Sequence, residues 1–255
     1  MRIAIDIQGV QSRGSSLRGI GRYSFDFVIN LIKYHPNIQF ILVANSSLTD
    51  VRYKFKNELK EKNVYYFEWY SPSPIDSSPK YKSQLDLATY LRSYVFSALN
   101  VDIVILTSFL EGFADNSHTD VNREIFNIKV VSIFYDLIPF LNPNLYLNSN
   151  PEFSLFYYSK LSGMRKFDGL LAISESSKNE VINHLKFDPK NVFNISSACD
   201  KNIFCIDNIN NTSKINVELL QPFLLYVGAS DPRKNLKNLL EAYSQLPIQF
   251  HHYQI

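Results

Sequence analysis

The sequence predicts an α/β protein, a parallel sheet with helices on both faces, followed by the beginning of a second domain. Three observations predict it. Short apolar runs alternate with stretches of helical periodicity along the chain. The runs are apolar at successive positions, as in strands buried on both faces. Near the end another such run, Phe223–Val227, stops at Gly228 and feeds a polar loop and a new helical repeat.

In order, Arg2–Ile7 reads as the first buried strand. A glycine-containing loop from Gln8 leads into a helix over Tyr23–Tyr34, with Phe27, Leu31 and Tyr34 on its inner face and His35-Pro36-Asn37 as its stop. Gln39–Ala44 is the second strand, Val51–Lys62 a solvated helix, and Val64–Phe67 a short strand. Tyr70–Lys80 carries Pro72, Pro74 and Pro79 among serines and reads as a loop. Gln84–Leu99 is a helix with Leu87, Leu91 and Tyr94 or Val95 inward, and Asp102–Leu106 a strand. Phe109–Asn122 is polar and irregular. Lys129–Tyr135 is a strand, Glu152–Phe167 a helix, Gly169–Ile173 a strand, and a helix opens at Ser174 and runs to Leu185. Val192–Ile195 closes the sheet. The polar stretch Asp207–Asn216 lacks an apolar period and marks a linker, so the expected division is 1–206, linker 207–221 and second domain 222–255.

Composition excludes several classes. The 255 residues, 45% hydrophobic and 20% charged, suit one or two globular domains. A net charge of +2 gives no basic field for nucleic acid. Two cysteines, Cys199 and Cys205, make neither a disulfide framework nor a metal pair, and point to a reduced, cytoplasmic protein. Met1–Asp6 is too short for a signal sequence, and no apolar run reaches membrane-spanning length. His35, His118, His184, His251 and His252 show no ligand spacing, so no metal is expected.

In open parallel sheets, ligands bind beyond the carboxyl ends of the strands, and four loops qualify. Gly19-Ile20-Gly21-Arg22 could let backbone approach a phosphate beside a helix N-terminus, or could serve loop geometry alone. It fails as a nicotinamide fingerprint, because Ser24 stands at the third glycine position and the loop from Ile7 is too long, which counts against an oxidoreductase. Tyr135-Asp136-Leu137-Ile138-Pro139 places a carboxylate at a strand end, where it could act on a hydroxyl, fix a ligand, or hold a turn. Ser174-Glu175 could cap a helix or line a cleft. Arg233 and Lys234 are either a solvated basic pair or, beside a helix N-terminus, a grip for a phosphate or diphosphate.

The string LLYVGASDPRKNLKNLLEAYSQLP closely resembles the start of the C-terminal domain of family-four glycosyltransferases. These are retaining, nucleotide-sugar-dependent enzymes of the GT-B fold, built from two Rossmann-like domains. GIGRY, YDLIP and AISESSKNEV resemble further segments of that family. The resemblance implies that Arg233 and Lys234 bind the donor diphosphate, and that Gly19, Gly21 and Arg22 lie near it. It implies that Asp136 is catalytic and that Tyr135, Ser174 and Glu175 line the cleft. Many relatives carry His at the position of Tyr135. A tyrosine, with an ordinary pKa near 10, cannot reproduce that group at neutral pH. With no Asp-x-Asp pair in the chain, a metal-free site is expected, its cations neutralising the departing diphosphate.

The implied activity is hexose transfer from a nucleotide sugar to a glycan acceptor in polysaccharide, O-antigen or capsule assembly. A lipid-linked acceptor would bring peripheral contact with the cytoplasmic membrane. The resemblance covers the chain but not the family: the later Glu-x7-Glu segment is missing, and a complete second domain needs on the order of 100 to 150 further residues. The expectation is therefore a truncated gene product, or a boundary imposed on a longer one, with weak or no activity. The helix near 235–246 would then dock on the first domain, pair with a second copy or a complementary chain, or stay loosely ordered. The competing expectation is a non-catalytic module that binds an acceptor or partner.

Overall fold

The computed structural model describes residues 1–71, 82–198, 222–228, 231–250 and 253. The chain divides into two units, Met1–Ala198 and Cys199–Ile255. The first carries strands β1 (Arg2–Asp6), β2 (Gln39–Asn45), β3 (Val64–Trp69), β4 (Ile103–Leu106), β5 (Val130–Phe134), β6 (Gly169–Ala172) and β7 (Val192–Asn194). All neighbouring pairs are parallel, in the order β3-β2-β1-β4-β5-β6-β7.

The unbroken apolar runs follow from burial on both faces. Successive residues of β1 alternate between two cores: Ile3 and Ile5 pack with Phe40 and Leu42, and Ala4 packs with Ile41, Val43 and Val104. Helix α2 (Gly19–Tyr34) covers the first face through Val28 and Ile32. Helices α3 (Lys82–Ala98), α7 (Pro151–Met164) and α8 (Glu175–Leu185) cover the second, through Phe96, Tyr157, Leu161, Val181 and Leu185. Among the described residues, one-turn helices complete the unit: α1 (Gln8–Gln11), α4 (Arg123–Phe126), α5 (Ile138–Leu141) and α6 (Pro143–Tyr146).

Several local expectations need correction. Helix α2 begins at Gly19, four residues before the expected start, and its buried residues are Gly21, Ser24, Val28 and Ile32, with Tyr34 exposed. In α3 the buried residues are Ala88, Arg92, Ser93 and Phe96, while Leu87, Leu91 and Tyr94 face solvent. The cause is Arg92, whose buried charge is paired with Asp6 and so takes an inward position that apolar periodicity assigns to a leucine. The Val51–Lys62 stretch forms two short 3-10 turns, Arg52–Phe55 and Glu58–Lys60, with Val51 and Phe55 in the core. The expected loop around Pro72, Pro74 and Pro79, the linker at 207–216 and both cysteines lie outside the described residues.

The second unit holds a 3-10 turn, Pro232–Lys234, and helix α9 (Leu236–Ser244). Phe223–Val227 is not a buried strand. It makes an isolated bridge at Phe223, and Leu225 and Val227 are exposed. A strand requires a paired edge, and the described residues of this unit offer none.

Candidate functional site

The strand order reverses between β1 and β4, and the region beyond the carboxyl ends of strands at such a reversal is the usual ligand position in these sheets. Gly9 follows β1, and Thr107 and Ser108 follow β4. A Cβ on Gly9 would stand 2.8 Å from Ser24 Oγ and 2.9 Å from Thr107 Oγ1, so glycine is what allows the three segments to meet.

Beneath this point lies a polar core. Asp6 Oδ1 accepts from Gln8 Nε2 (3.1 Å) and Arg92 Nη1 (3.3 Å), and Arg92 Nη2 stands 3.2 Å from Asp6 Oδ2, close enough for an ion pair though poorly angled for a hydrogen bond. The guanidinium also lies 4.9 Å from the Phe96 ring centroid and 5.7 Å from that of Trp69. Gln8 exhausts its amide: Nε2 also donates to the His118 carbonyl, while Oε1 accepts from His118 N and Asn45 Nδ2. This one side chain joins the ends of β1 and β2 to the loop after β4. His118 pairs through Nε2 with Thr89 Oγ1 at 2.9 Å, and burial pushes its pKa down to about 3. Lys160, also buried, donates to Thr119 Oγ1 and to Asp120. Burial alone would raise the Asp120 carboxyl, but the adjacent Lys160 ammonium, with smaller contributions from His118 and Arg92, outweighs it and holds the group low.

The sequence-predicted residues divide as follows. Gly19, Gly21 and Arg22 stand in the first turn of α2 rather than in a free loop. Gly19 is open, and a Cβ added there would meet nothing within 4 Å; Arg22 is exposed. Gly21 is small for an intramolecular reason: a Cβ there would meet Ser15 O at 2.4 Å and Ser16 Cα at 2.6 Å. Tyr135 sits at the end of β5 and donates to Thr107 O (3.0 Å), with Ser24 Oγ also at 3.0 Å. Burial raises its pKa and outweighs the opposing Ser24 contact, so the phenol keeps its proton. Tyr135 thereby ties α2 to the ends of β4 and β5.

Asp136 follows directly, and its Oδ1 accepts from Ile138 N at 3.0 Å, the turn-holding arrangement. Ser174 caps α8 by accepting from Ser177 N (3.0 Å), and Ser177 Oγ donates to the Tyr135 carbonyl. Glu175 is exposed and accepts from Asn194 Nδ2 at 3.0 Å. The β5 and β6 ends, with Tyr135, Asp136, Ser174 and Glu175, are therefore adjacent in one sheet region. Arg233 and Lys234 lie in the second unit, in the 3-10 turn before α9. Arg233 is held by Asp231 through Nε (3.0 Å) and Nη2 (2.7 Å), and Asn235, at φ 55°, separates the pair from the helix.

Sequence reasoning missed the Asp6–Arg92 pair, the Gln8 hub, Glu111 and Glu180. The last accepts from Leu137 N at 3.0 Å and steadies the Asp136 turn. A concavity of about 380 Å³, lined by Arg165, Phe167, Lys186 and Asn191, adjoins the amino ends of β6 and β7, the opposite end of the sheet from the predicted site residues of the first unit.

Comparison with known proteins adds a sequence likeness to this geometry. The chain is similar to a mannosyltransferase. It is 30% identical to the serotype-specific mannosyltransferase WbdA of Escherichia coli over 98% of its own length and 30% of the relative's. A second WbdA sequence from that organism is 30% identical over 80% of this chain and 25% of its own. The chain thus spans less than a third of the curated relatives it matches. No protein-family model matches. Two solved structures share the fold. The lipopolysaccharide outer core galactosyltransferase WaaB, in apo form, superposes with a TM-score of 0.50 at 13% identity, covering 97% of this chain and 58% of its own. LpCGTa in complex with UDP gives 0.52 at 10% identity, covering 95% and 63%. The parallel sheet with helices on both faces is the fold the chain shares with these two structures. Among the described residues no helix is long and apolar enough to cross a membrane.

Proposed function

We propose that the chain is the acceptor-side part of a retaining glycosyltransferase. It passes a hexose from a nucleotide sugar to a glycan in cell-surface polysaccharide, O-antigen or capsule assembly. The observation that carries this reading is the 30% identity to a mannosyltransferase over 98% of the chain. The activity of that relative favours mannose as the hexose.

In this reading the first unit binds the acceptor glycan near the ends of β5 and β6, with Tyr135, Ser174 and Glu175 as lining groups and Asp136 as the group acting on the reacting sugar. The first turn of α2, through Gly19, Gly21 and Arg22, lies near the donor. Arg233 and Lys234 neutralise the diphosphate as it departs, without a metal. Charge grows on that group in the transition state, and fixed cations lower the barrier. Arg233 would exchange its bond to Asp231 for phosphate oxygens, a substitution its planar fork suits. A lipid-linked acceptor would hold the protein at the cytoplasmic face of the membrane.

The occupied state of Asp136, which already holds a turn, favours a second reading as a non-catalytic acceptor-binding module. Calorimetry separates the two. Titration with mannose oligosaccharides and, separately, with GDP and UDP is expected to show binding of both a glycan and one nucleotide. Glycan binding without either nucleotide would support the binding module, and binding of neither class would overturn both.

A further inference from the structure

We infer that Glu111 is a positioning residue, which holds the Ser12–Arg18 segment and through it the first turn of α2 in the shape that receives the donor. The inference rests on the donor reading of that turn given above. Glu111 lies in the loop after β4 and is 8% exposed. Its carboxylate is an acceptor for three hydroxyls, two from the distant Ser12–Ser15 stretch and one from Ser108 in its own loop. Ser12 Oγ donates to Oε2 at 2.6 Å, Ser108 Oγ donates to Oε1 at 2.8 Å, and Ser15 Oγ also reaches Oε1. No cation faces this carboxylate within ion-pair distance among the described residues, so hydroxyl donors alone compensate its burial.

Ser15 is the node that carries the effect onward. Its side chain is held by Glu111, while its carbonyl accepts from Arg18 N (2.8 Å) and Gly21 N (3.1 Å). Gly21 lies so close to Ser15 that a single methyl group could not be accommodated. A shift of Ser15 must therefore move the start of α2. Asp115 reinforces the clamp from the same loop: its Oδ2 accepts from Arg13 N at 2.7 Å and lies 2.8 Å from Ser12 Oγ, whose single proton it shares with Glu111. Gly112, at φ 108° with Ser117 O 2.4 Å from its would-be Cβ, gives the sharp turn that brings both carboxylates to one side. The clamp leaves Arg13, Arg18, Gly19 and Arg22 exposed on a braced segment.

The test uses the full chain, with E111A and, in case that variant folds poorly, the double variant S12A/S15A. Hydrogen exchange is followed in peptides covering residues 12–21 and, as a reference, β2. GDP and UDP are titrated in parallel. Exchange over 12–21 is expected to rise at least tenfold in both variants with β2 unchanged, and nucleotide affinity to fall about tenfold. Unchanged exchange over 12–21 overturns the clamp. Faster exchange with unaltered nucleotide affinity overturns its positioning role. Wild-type protein that binds neither nucleotide overturns the donor reading instead, and exchange then decides the clamp alone.

Discussion

His118 is neutral because its ring is buried beside Trp69 and Thr89, and that has a measurable cost in acid. Its folded pKa of about 3 lies below the unfolded value, so the unfolded chain binds the extra proton first as pH falls. Stability from this group is complete above pH 6.5 and is lost progressively toward pH 3. Between pH 7 and 4.5 the loss should be about 2–3 kcal/mol, at 1.36 kcal/mol per unit. Urea unfolding of wild type and His118→Gln at both pH values checks this: the variant should lose less on acidification. Arg92 makes a second residue-scale prediction. Arg92→Ala leaves Asp6 buried without its cation and should cost roughly 3–5 kcal/mol in denaturant unfolding. An unaltered midpoint would contradict it. Neither role is legible in the sequence. An isolated His or Arg looks the same there whether solvated or buried, and only the long-range partners Asp6, Gln8 and Thr89 decide. Ser174 is more legible, because capping is local chemistry.

Helix α2 shows how two glycines of one helical turn can differ in environment. Gly21→Ala forces a methyl against the Ser15 backbone and should destabilise by about 1–3 kcal/mol. Gly19→Ala meets nothing and replaces glycine in a first helical turn, so it should stabilise by roughly 0.5–1 kcal/mol. Thermal melts of the two variants should move in opposite directions; a common direction would contradict the packing described. Strands are the readable elements, since burial on both faces leaves an unbroken apolar run that needs no partner to recognise. Helix phase is harder. In α3 the inward Arg92 displaces Leu87 and Leu91 to the surface. The loop at 109–122 reads as irregular and polar, and it is, yet Glu111, His118 and Thr119 are buried because distant groups, Ser12, Gln8 and Lys160, satisfy them. The run Phe223–Val227 shows the reverse limit, as an apolar stretch with strand composition makes only an isolated bridge at Phe223 and finds no strand partner among the described residues.

On the scale of the whole molecule, the parallel sheet and its helices on both faces follow from pattern alone, while the proposed reaction depends on groups in two separate units. The first unit offers strand ends rich in hydroxyl and carboxylate groups. The second offers Arg233 and Lys234. The central claim is that this cation pair grips the diphosphate of a nucleotide sugar. Calorimetric titration of GDP and UDP into wild type and the R233A/K234A double variant tests it most directly. The account predicts that one nucleotide binds wild type and that its affinity falls at least tenfold in the double variant. Equal affinity in the two proteins would contradict it.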